Sequence, residues 1–209
     1  VVIPNYNGAN LLIKNLPSVV ESLKEYQSFK ITIVDDGSED SDYQKALTFV
    51  TSLKENKAPI ELIRKDKNTG FSSTVNTAAL KSSADFLVLL NTDVTVTVQK
   101  DFLSPVFEDF SQNQNLFGVG CMDKSMEEGK AVFRGRGIAS WKRGFLIHQK
   151  GEVDKKNTFW ISGGSCVIRA DLFKKLSGFD SVYDPFYWED IDLSYRARKA
   201  GYEIMFESK

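Results

Sequence analysis

"ADFLVLLNTDV", from Ala84 to Val94, is an apolar run that ends in polar residues. Its apolar residues are continuous rather than alternating, which is typical of a strand inside a parallel sheet with helices on both faces. Three shorter runs upstream, at 1–4, 30–36 and 60–66, are also strand-like, and helical patterns lie between them. This alternation predicts an α/β fold with a mostly parallel central sheet flanked by helices.

Further elements follow from the spacing of apolar residues and from signals at the ends of helices. Predicted helices cover 15–26, a segment capped by Ser38, 71–83, 171–178 and 188–201, and predicted strands cover 159–170 and 202–207. Gly178 and Gly201 close the last two helices as C-caps. The polar, glycine-dotted segment 123–157 predicts a β-hairpin or a flexible insertion.

Composition excludes several classes of protein. The 209 residues suffice for one α/β domain with a buried core, and the formal net charge of −1 gives no bulk attraction to nucleic acid or to an anionic membrane. No apolar run approaches the roughly 18 residues that span a bilayer, and the first residues do not resemble a signal peptide. Cys121 and Cys166 lie in apolar, strand-like surroundings, which favours buried thiols and a cytoplasmic location. One histidine and no cysteine cluster disfavour a zinc site.

Polar residues gather where the predicted strands end. They are Asn5 to Asn7 after the first strand, Asp35 and Asp36 after the second, 66–70 after the third, and Asn91 to Asp93 after the fourth. Open α/β sheets bind ligands beyond the carboxyl ends of their parallel strands. We therefore expect a ligand site at this edge of the sheet.

Each of these strand ends has two interpretations by itself. Asn91 and Asp93 project from the same face, and one or two carboxylates plus phosphate oxygens suit Mg²⁺, but an Asx turn also fits. Asp35 and Asp36 could hydrogen-bond a base or ribose, or could shape a turn. Gly70, between a strand and a helix, could bring the backbone close to a ligand or could be a plain turn residue.

Taken in order, the strand ends and two later stretches resemble the family 2 glycosyltransferases, which are inverting enzymes with a GT-A fold. The matching stretches are "VVIPNYNG", "IVDDGSED", "NTGFSSTVNTA", "LLNTDV", "ISGGSCVIRADLFKKLSGFD" and "WEDIDLSYRARKAGY". They run from Val1 to Tyr202, so the resemblance covers nearly the whole chain. It looks closest to bacterial rhamnosyltransferase-like enzymes of cell-surface polysaccharide synthesis.

The resemblance implies one GT-A catalytic domain over 1–209, with a nucleotide-binding half at 1–98, an acceptor and catalytic half at 99–209, and a small second sheet near the acceptor. The chain opens without methionine inside one strand-like run and stops after another, so we expect a fragment of a longer chain. The expected partners are a nucleoside-diphosphate sugar and a carbohydrate or lipid-linked acceptor, with no nucleic acid. The expected location is cytoplasmic, extending to the inner face of the cell membrane through regions outside this chain.

The resemblance also implies a donor site. The residues expected to bind the nucleotide are Pro4, Tyr6, Asp36, Asn68, Gly70, Asn91 and Thr92. Tyr6 would stack on the base and Asp36 would hydrogen-bond it at an open strand end, while Asp35 would shape the turn. Asp93 would hold a divalent metal, Mg²⁺ or Mn²⁺, that bridges the diphosphate. The family usually has a second acid where this chain has Asn91, which leaves one carboxylate in the motif.

The stretch "WEDID" looks like the acidic motif of the family, whose second acid is the catalytic base. That acid is Asp190, with Glu189 beside it. A carboxylate there would take the proton from the attacking acceptor hydroxyl. The alternative is a first-turn acid that only compensates the helix dipole. Trp188 would give the sugars an apolar platform, and Gly163 and Gly164 would leave room for a sugar ring.

Five other polar residues have structural interpretations. Asp192 and Arg196 are four apart on a predicted helix and predict an ion pair. Arg134 and Arg136 could clamp phosphate, but solvated hairpin arginines are the preferred interpretation. His148, in the glycine-dotted segment, is predicted to be a surface residue.

Two other functions are compatible with parts of the pattern. A catalytically silent nucleotide-sugar-binding module of a larger assembly protein would explain Asn91 in the metal motif. A sugar-phosphate nucleotidyltransferase would share the α/β order of elements. That enzyme would require a glycine-rich, basic phosphate loop near the first strand, and "PNYNGAN" contains only Gly8 and no basic residue.

Overall fold

A seven-stranded sheet lies at the centre of the protein. The computed structural model describes residues 1–55, 57–97 and 101–208, so the predicted boundary between the two halves, at 98 and 99, lies outside the described residues. The strands are β1 Val2–Asn5, β2 Ile31–Asp35, β3 Ile60–Arg64, β4 Phe86–Leu90, β5 Leu116–Cys121, β6 Asp123–Glu127, β7 Lys130–Arg134, β8 Gly137–Lys142, β9 Phe145–Lys150, β10 Ser165–Arg169 and β11 Glu203–Glu207. The α-helices are α1 Ala9–Ser22, α2 Asp40–Glu55, α3 Phe71–Ala79, α4 Ser104–Gln112, α5 Ala170–Lys175 and α6 Glu189–Lys199. Among the described residues, no helix is both long enough and apolar enough to cross a membrane.

The strand order in the central sheet is β11-β5-β10-β4-β1-β2-β3. β10 runs antiparallel to its neighbours β4 and β5, and the other paired strands of this sheet are parallel. This confirms the predicted mostly parallel α/β sheet. β10 comes from the second predicted half and pairs with β4 of the first, with Ser165 opposite Leu90. One continuous sheet therefore carries strand ends from both halves.

Both faces of the sheet are covered, as the continuous apolar run of β4 predicts. Val88 belongs to a buried cluster that includes Leu16 of α1. Leu89, the next residue along the strand, belongs to a second buried cluster that includes Phe173 of α5. Successive side chains of a strand point to opposite faces, so β4 packs against both layers at once. The packed sheet is a rigid support for the loops at its edge.

Some helix ends differ from the predictions because long-range contacts set them. α1 begins at Ala9 rather than at 15, since the Ala9 N–H donates to the carboxylate of Asp42, at 3.2 and 3.3 Å. The hydroxyl of Ser38 donates to Asp35 at 2.6 Å, so Ser38 closes the turn after β2. Gly201 closes α6 as predicted, with φ of 89° directly after the cap residue Ala200. The predicted C-cap at Gly178 is wrong, because α5 ends at Lys175 with Leu176 as its cap, and the left-handed residue that follows is Ser177, at φ of 62°.

The segment 123–157 contains the predicted small second sheet in two parts, the antiparallel hairpins β6–β7 and β8–β9. β8–β9 is closed by Arg143 and Gly144, with φ of 51° and 83°. Two positive φ values in a two-residue connection are typical of a type I′ turn, whose twist matches that of the strands. The second hairpin is therefore tight and regular, not a flexible insertion.

Candidate active site

The loops after β1 and β2 are tied together by Asp35. Its carboxylate is fully buried and accepts hydrogen bonds from Asn5 Nδ2 at 2.9 Å and from the N–H and hydroxyl of Ser38 at 3.1 and 2.6 Å. The Ser38 oxygen in turn accepts the Asn7 N–H at 2.8 Å. Asp35 therefore shapes the turn, as predicted.

Asp36 differs from its prediction of an open strand end. It is only 4% exposed, and its carboxylate accepts hydrogen bonds from Lys65 Nζ at 2.6 Å and from the N–H groups of Thr69 and Gly70 at 3.0 and 2.9 Å. Burial raises the pKa of Asp36, but the bonds from Lys65 and the following loop outweigh it and leave the pKa below its ordinary value. The Asp36 carboxylate is already paired within the protein, because Lys65, at the end of the neighbouring strand, reaches it. A hydrogen bond from Asp36 to a base stays a prediction.

The other predicted nucleotide residues flank this buried centre. Tyr6 is 53% exposed in the loop after β1, so its ring is accessible for stacking. Pro4 lies half-buried in β1, opposite Val34. Asn68 is exposed, and its side-chain oxygen accepts the Gly70 N–H at 3.1 Å. Their contacts with a nucleotide stay predictions.

Gly70 makes a close contact, but with the protein itself. It has φ of 96°, and a Cβ there would lie 2.5 Å from Asp184 Oδ1 and 2.7 Å from Pro185 Cα. Asp184 accepts the Ser72 N–H at the start of α3, at 3.0 Å, and the Phe71 N–H donates to the Pro185 oxygen at 2.9 Å. The predicted space for a ligand at the Cα of Gly70 is thus filled by the segment that leads into "WEDID".

Asn91 lies against Gly164, one of the two predicted sugar-site glycines. The Asn91 N–H donates to the Gly164 oxygen at 2.9 Å, and a Cβ on Gly164 would lie 2.7 Å from Asn91 Nδ2. A Cβ on Gly163 would lie 3.1 Å from the ring of Phe71. The Thr92 oxygen accepts a bond from Asn15 of α1 at 2.8 Å, which anchors the loop. The glycines are needed for this close packing, and whether a sugar also lies there stays a prediction.

Asp123 is a site residue that the sequence analysis missed. It is the first residue of β6, one residue after the end of β5, and its Oδ2 accepts the Ser165 hydroxyl at 2.8 Å, beside the end of β4. Burial raises the pKa of Asp123, the Ser165 bond lowers it, and the charge of Asp93 raises it further. The signal was present, since an acid follows the apolar run "LFGVG" just as Asp93 follows "LVLL". Two carboxylates therefore share this part of the edge.

The residues at this edge fit a divalent metal. Asp93 and Asp123 supply carboxylates, and the buried side-chain oxygen of Asn91 has no hydrogen-bond partner within the described residues. Hard cations such as Mg²⁺ and Mn²⁺ prefer oxygen ligands of this kind. In the described ranges, no group of three or more His, Cys, Asp or Glu could hold a metal alone. Phosphate oxygens from a ligand would therefore have to complete the coordination.

Asp190 lies at the start of α6, behind Trp188, whose φ of 81° is unusual for a bulky residue. The carboxylate accepts the Ile191 N–H at 2.7 Å. Burial raises the pKa of Asp190, while the N–H groups of Ile191 and Gly163 and the imidazole of His148 lower it, and the net shift is upward. A carboxylate with a raised pKa is better matched to proton transfer near neutral pH.

Glu189 differs from Asp190 in its surroundings. It is 6% exposed, and its Oε2 has no hydrogen-bond partner in the described part of the chain. Burial raises the pKa of Glu189 from 4.5 to about 7, and the charges of Asp190 and Asp184 add to the rise. A side chain this enclosed cannot readily reach an acceptor in solvent, so the geometry favours Asp190 as the base.

Asp190 and Asp123 lie at the same part of the sheet edge. The buried thiol of Cys166, on β10, has a raised pKa because of burial, then of Cys121, and then of the charges of Asp190 and Asp123. Both cysteines are free thiols, as predicted. The predicted base and the metal-site acids are therefore neighbours around one strand end.

His148 has a larger role than the predicted surface residue. It is solvent-exposed, but its ring lies edge-to-face against Trp188 at 4.9 Å and against Trp160 at 5.5 Å, between ring centroids. It also lowers the pKa of Asp190. The β8–β9 hairpin thereby lies beside Trp188 and Asp190. Sequence reasoning missed this because the contact depends on how the hairpin folds back.

The predictions for the remaining charged residues have different outcomes. Arg134 is exposed and pairs with Glu127 on its own hairpin, as predicted. Arg136 is buried, which corrects the prediction of a solvated arginine, because its guanidinium donates to Asn157 Oδ1 and to the Glu152 oxygen, both at 3.0 Å. The predicted Asp192–Arg196 ion pair is confirmed at 2.7 Å.

Protonation of Glu189 should make stability depend on pH. Its folded pKa of about 7 lies above the ordinary 4.5, so the folded state binds more protons between these values and wild-type stability falls as pH rises through them. Glu189→Gln cannot titrate there. From pH 5 to pH 8, the wild type should lose about 2 kcal/mol of unfolding free energy relative to the variant. Urea denaturation at both pH values measures this, and parallel pH profiles would contradict the buried, protonated glutamate.

Comparisons with known proteins place this geometry in a family. Residues 1–177 match the family described as Glycosyl transferase family 2. The dolichol-phosphate mannosyltransferase of Pyrococcus furiosus (strain ATCC 43587 / DSM 3638 / JCM 8422 / Vc1) is 31% identical over 94 residues, which are 45% of this chain and 25% of that protein.

Two solved structures share the fold. GalNAc-T7 with UDP, GalNAc and Mn²⁺ has a TM-score of 0.77 at 16% identity, over 98% of this chain and 41% of that one. The mannosyltransferase PcManGT of Pyrobaculum calidifontis, with GDP-Man and Mn²⁺, has a TM-score of 0.71 at 15% identity, over 99% of this chain and 55% of that one. The matched regions thus cover between a quarter and about half of the length of these proteins. Since the family match extends over most of its length and the fold agrees, the chain belongs to glycosyl transferase family 2.

Proposed function

We propose that the protein is an inverting glycosyltransferase that moves a sugar from a nucleoside-diphosphate sugar to a carbohydrate or lipid-linked acceptor. The observation that carries this proposal is the position of Asp190, at the start of α6 beside Gly163 and His148 and close to Asp123. A base at this point is one strand end away from the predicted diphosphate site. The acceptor hydroxyl would therefore meet the anomeric carbon of the donor sugar beside Asp190.

In the proposed reaction, Asp190 accepts the proton of an acceptor hydroxyl as that oxygen bonds to the anomeric carbon of the donor sugar. The bond from that carbon to the diphosphate breaks on the opposite face, and its electron pair leaves with the diphosphate, which inverts the configuration. Trp188 supports the sugar, and Tyr6 holds the nucleotide base by stacking on it. Asp93, Asp123 and Asn91 would hold a divalent metal, which supplies Lewis-acid stabilisation of the leaving diphosphate.

The finer part of the proposal is that the acceptor belongs to cell-surface polysaccharide synthesis. Two features support it. The resemblance is to enzymes of bacterial polysaccharide synthesis, and one relative is named for transfer to a lipid phosphate. We assign nucleotide binding to 1–98 and acceptor binding and catalysis to 99–209. The proposed location is cytoplasmic, at the inner face of the cell membrane.

A catalytically silent sugar-nucleotide-binding module is the second candidate, favoured by Asn91 in place of an acid. Asp123 weakens that argument, because it supplies a carboxylate next to Asp93 from another strand. The two candidates both bind nucleotide, and only the enzyme transfers sugar.

A thermal-shift screen tests the donor site. UDP, dTDP and GDP sugars are added with and without Mn²⁺, and a bound ligand at about 100 times its Kd should stabilise the protein by about 2.7 kcal/mol. One nucleotide should raise Tm more than the others, and more strongly with Mn²⁺. No shift with any of them would contradict the proposed function.

Metal binding should depend on Asp123 as well as Asp93. Mn²⁺ should bind weakly to the free protein and more tightly with nucleoside diphosphate present, because phosphate oxygens complete the coordination. Asp93→Asn and Asp123→Asn should each weaken Mn²⁺ binding in the presence of UDP or GDP by about tenfold or more, since fewer charged ligands remain. Calorimetry measures this without relying on transfer.

The matched control is Asp154→Asn, an exposed acid in the loop after β9. It should bind Mn²⁺ like the wild type. If Asp123→Asn also behaves like the wild type while Asp93→Asn does not, Asp123 is not a ligand and the metal has one carboxylate. If tight Mn²⁺ binding without nucleotide survives Asp93→Asn, the site is elsewhere.

A further inference from the structure

The β8–β9 hairpin has two different faces. The register pairs Ala139 with His148 and Trp141 with Leu146, so these four side chains share one face. That face is turned towards the protein, since the ring of His148 contacts Trp188 at 4.9 Å and that of Trp141 contacts Tyr195 at 6.0 Å, and Trp141 is still 58% exposed. It is the face that lines the site.

The opposite face is apolar and turned to solvent. The register pairs Lys142 with Phe145 and Ser140 with Ile147, which places Phe145 and Ile147 together on this face. Phe145 is 73% exposed and Ile147 is 50% exposed. Large apolar side chains in such a pair are unusual at a surface that only meets water, and contiguous ones mark interaction sites.

Two basic residues stand at the tip beside this apolar pair. Residues 137–150 contain Lys142, Arg143 and Lys150 and no Asp or Glu. Lys142 pairs with Phe145 on the outer face and Arg143 belongs to the turn, whereas Lys150 pairs with Gly137 on the inner face. Apolar and aromatic residues beside lysine and arginine are what the interface of an anionic bilayer accepts, because the rings enter the headgroup region and the cations meet lipid phosphates.

The neighbouring hairpin shows that this pattern is not general. Residues 123–134 of β6–β7 contain three acidic and three basic residues. That hairpin also exposes two apolar residues on one face, Met126 at 65% and Phe133 at 39%. Of these two hairpins, β8–β9 alone combines an apolar face with an excess of positive charge at its tip. The net charge of −1 for the whole chain does not oppose this, since screening limits electrostatic attraction to about 8–10 Å.

We infer that the outer face and tip of β8–β9 dock on an anionic lipid surface. A second copy of this chain fits less well, because a symmetric contact would bring the cationic tips of two hairpins together. A soluble neutral sugar would gain little from the two cations at the tip. Docking here would place the inner face of the hairpin, and with it Trp188 and Asp190, beside the membrane. That this presents a lipid-linked acceptor to Asp190 rests on the proposed function, while the docking does not.

Vesicle flotation tests the docking. Wild-type protein is mixed with vesicles of phosphatidylcholine alone or with phosphatidylglycerol added, and it should float only with the anionic vesicles. Lys142→Gln with Arg143→Gln should lower the partition coefficient by about tenfold or more, since each basic residue near the surface contributes. Phe145→Ser with Ile147→Ser should lower it similarly. The control, Met126→Ser with Phe133→Ser, should float like the wild type.

Other outcomes overturn the inference. They are equal flotation with both vesicle types, hairpin variants that float like the wild type, or hairpin variants that only convert a dimer to a monomer in sedimentation, which would show a second copy as the occupant. Thermal shift by nucleotide is measured on every variant as a check of folding and of the donor site. Loss of that shift in all proteins, with flotation intact, would contradict the proposed function and leave the docking standing.

Discussion

Asp190→Asn is expected to lower sugar transfer by about 10²-fold or more, which is the usual scale for the loss of a general base. The amide keeps the shape of the carboxylate and can still accept the Ile191 N–H, but it cannot take a proton from an acceptor hydroxyl. Donor affinity should stay near the wild-type value, because Asp190 lies at α6 rather than among the predicted nucleotide residues. Initial rates at saturating donor, with calorimetry of donor binding, measure the two effects separately.

Two neighbours provide the controls for that experiment. Glu189→Gln should reduce transfer less, since Glu189 is buried and its pKa of about 7 leaves it partly protonated at neutral pH. Asp192→Asn should act on stability, because Asp192 pairs with Arg196, which also donates to the Gly178 oxygen at 2.8 Å. If Asp190→Asn transfers normally and Glu189→Gln does not, the base is Glu189. If both transfer normally, the acids only start the helix.

The fold was predictable because its signals are local. The continuous apolar residues of β4 predict a strand covered on both faces, and Val88 and Leu89 indeed belong to the two separate buried clusters. Gly201 closes α6 for an equally local reason, since it has a positive φ directly after the cap residue of that helix. α4 and β5 were not predicted, although β5 contains the apolar run "LFGVG".

The site was predictable only in part, because side-chain partners come from distant positions. Asp123 matters through Ser165 and Asp93, and His148 matters through Trp188, and no short motif contains these pairs. A motif can indicate that an acid stands at a strand end. Whether that acid faces solvent or a buried partner depends on the rest of the fold.

Because Asp36 is buried and paired rather than open to solvent, its substitution has to be tested for stability as well as for nucleotide binding. Asp36→Ala should destabilise the protein by about 3 kcal/mol, the lower end of the range for removing one partner of a buried ion pair, because the Lys65 side chain is 15% exposed. The Thr69 and Gly70 N–H groups would also lose their acceptor. Urea denaturation at pH 7 measures the loss.

The pH dependence of that loss has a definite sign. The folded pKa of Asp36 lies below the ordinary 3.8, so its contribution to stability is complete above pH 3.8 and disappears as pH falls through the folded pKa. The wild type and Asp36→Ala should therefore differ fully at pH 7 and should converge in strong acid. A difference that is the same at pH 7 and below pH 3 would contradict the ion pair as its source.

The double variant Asp36→Ala with Lys65→Met separates the structural role from nucleotide binding. Replacing both partners of a buried pair is often nearly neutral, so part of the lost stability should return, and a double-mutant cycle gives the coupling between Asp36 and Lys65. In this double variant, the affinity for the donor directly tests the predicted contact between Asp36 and the nucleotide base. Weakened binding would support the predicted contact from Asp36 to the base. Wild-type affinity would mean that Asp36 holds Lys65 and the loop before α3, and that the base is recognised by stacking on Tyr6 and by backbone groups.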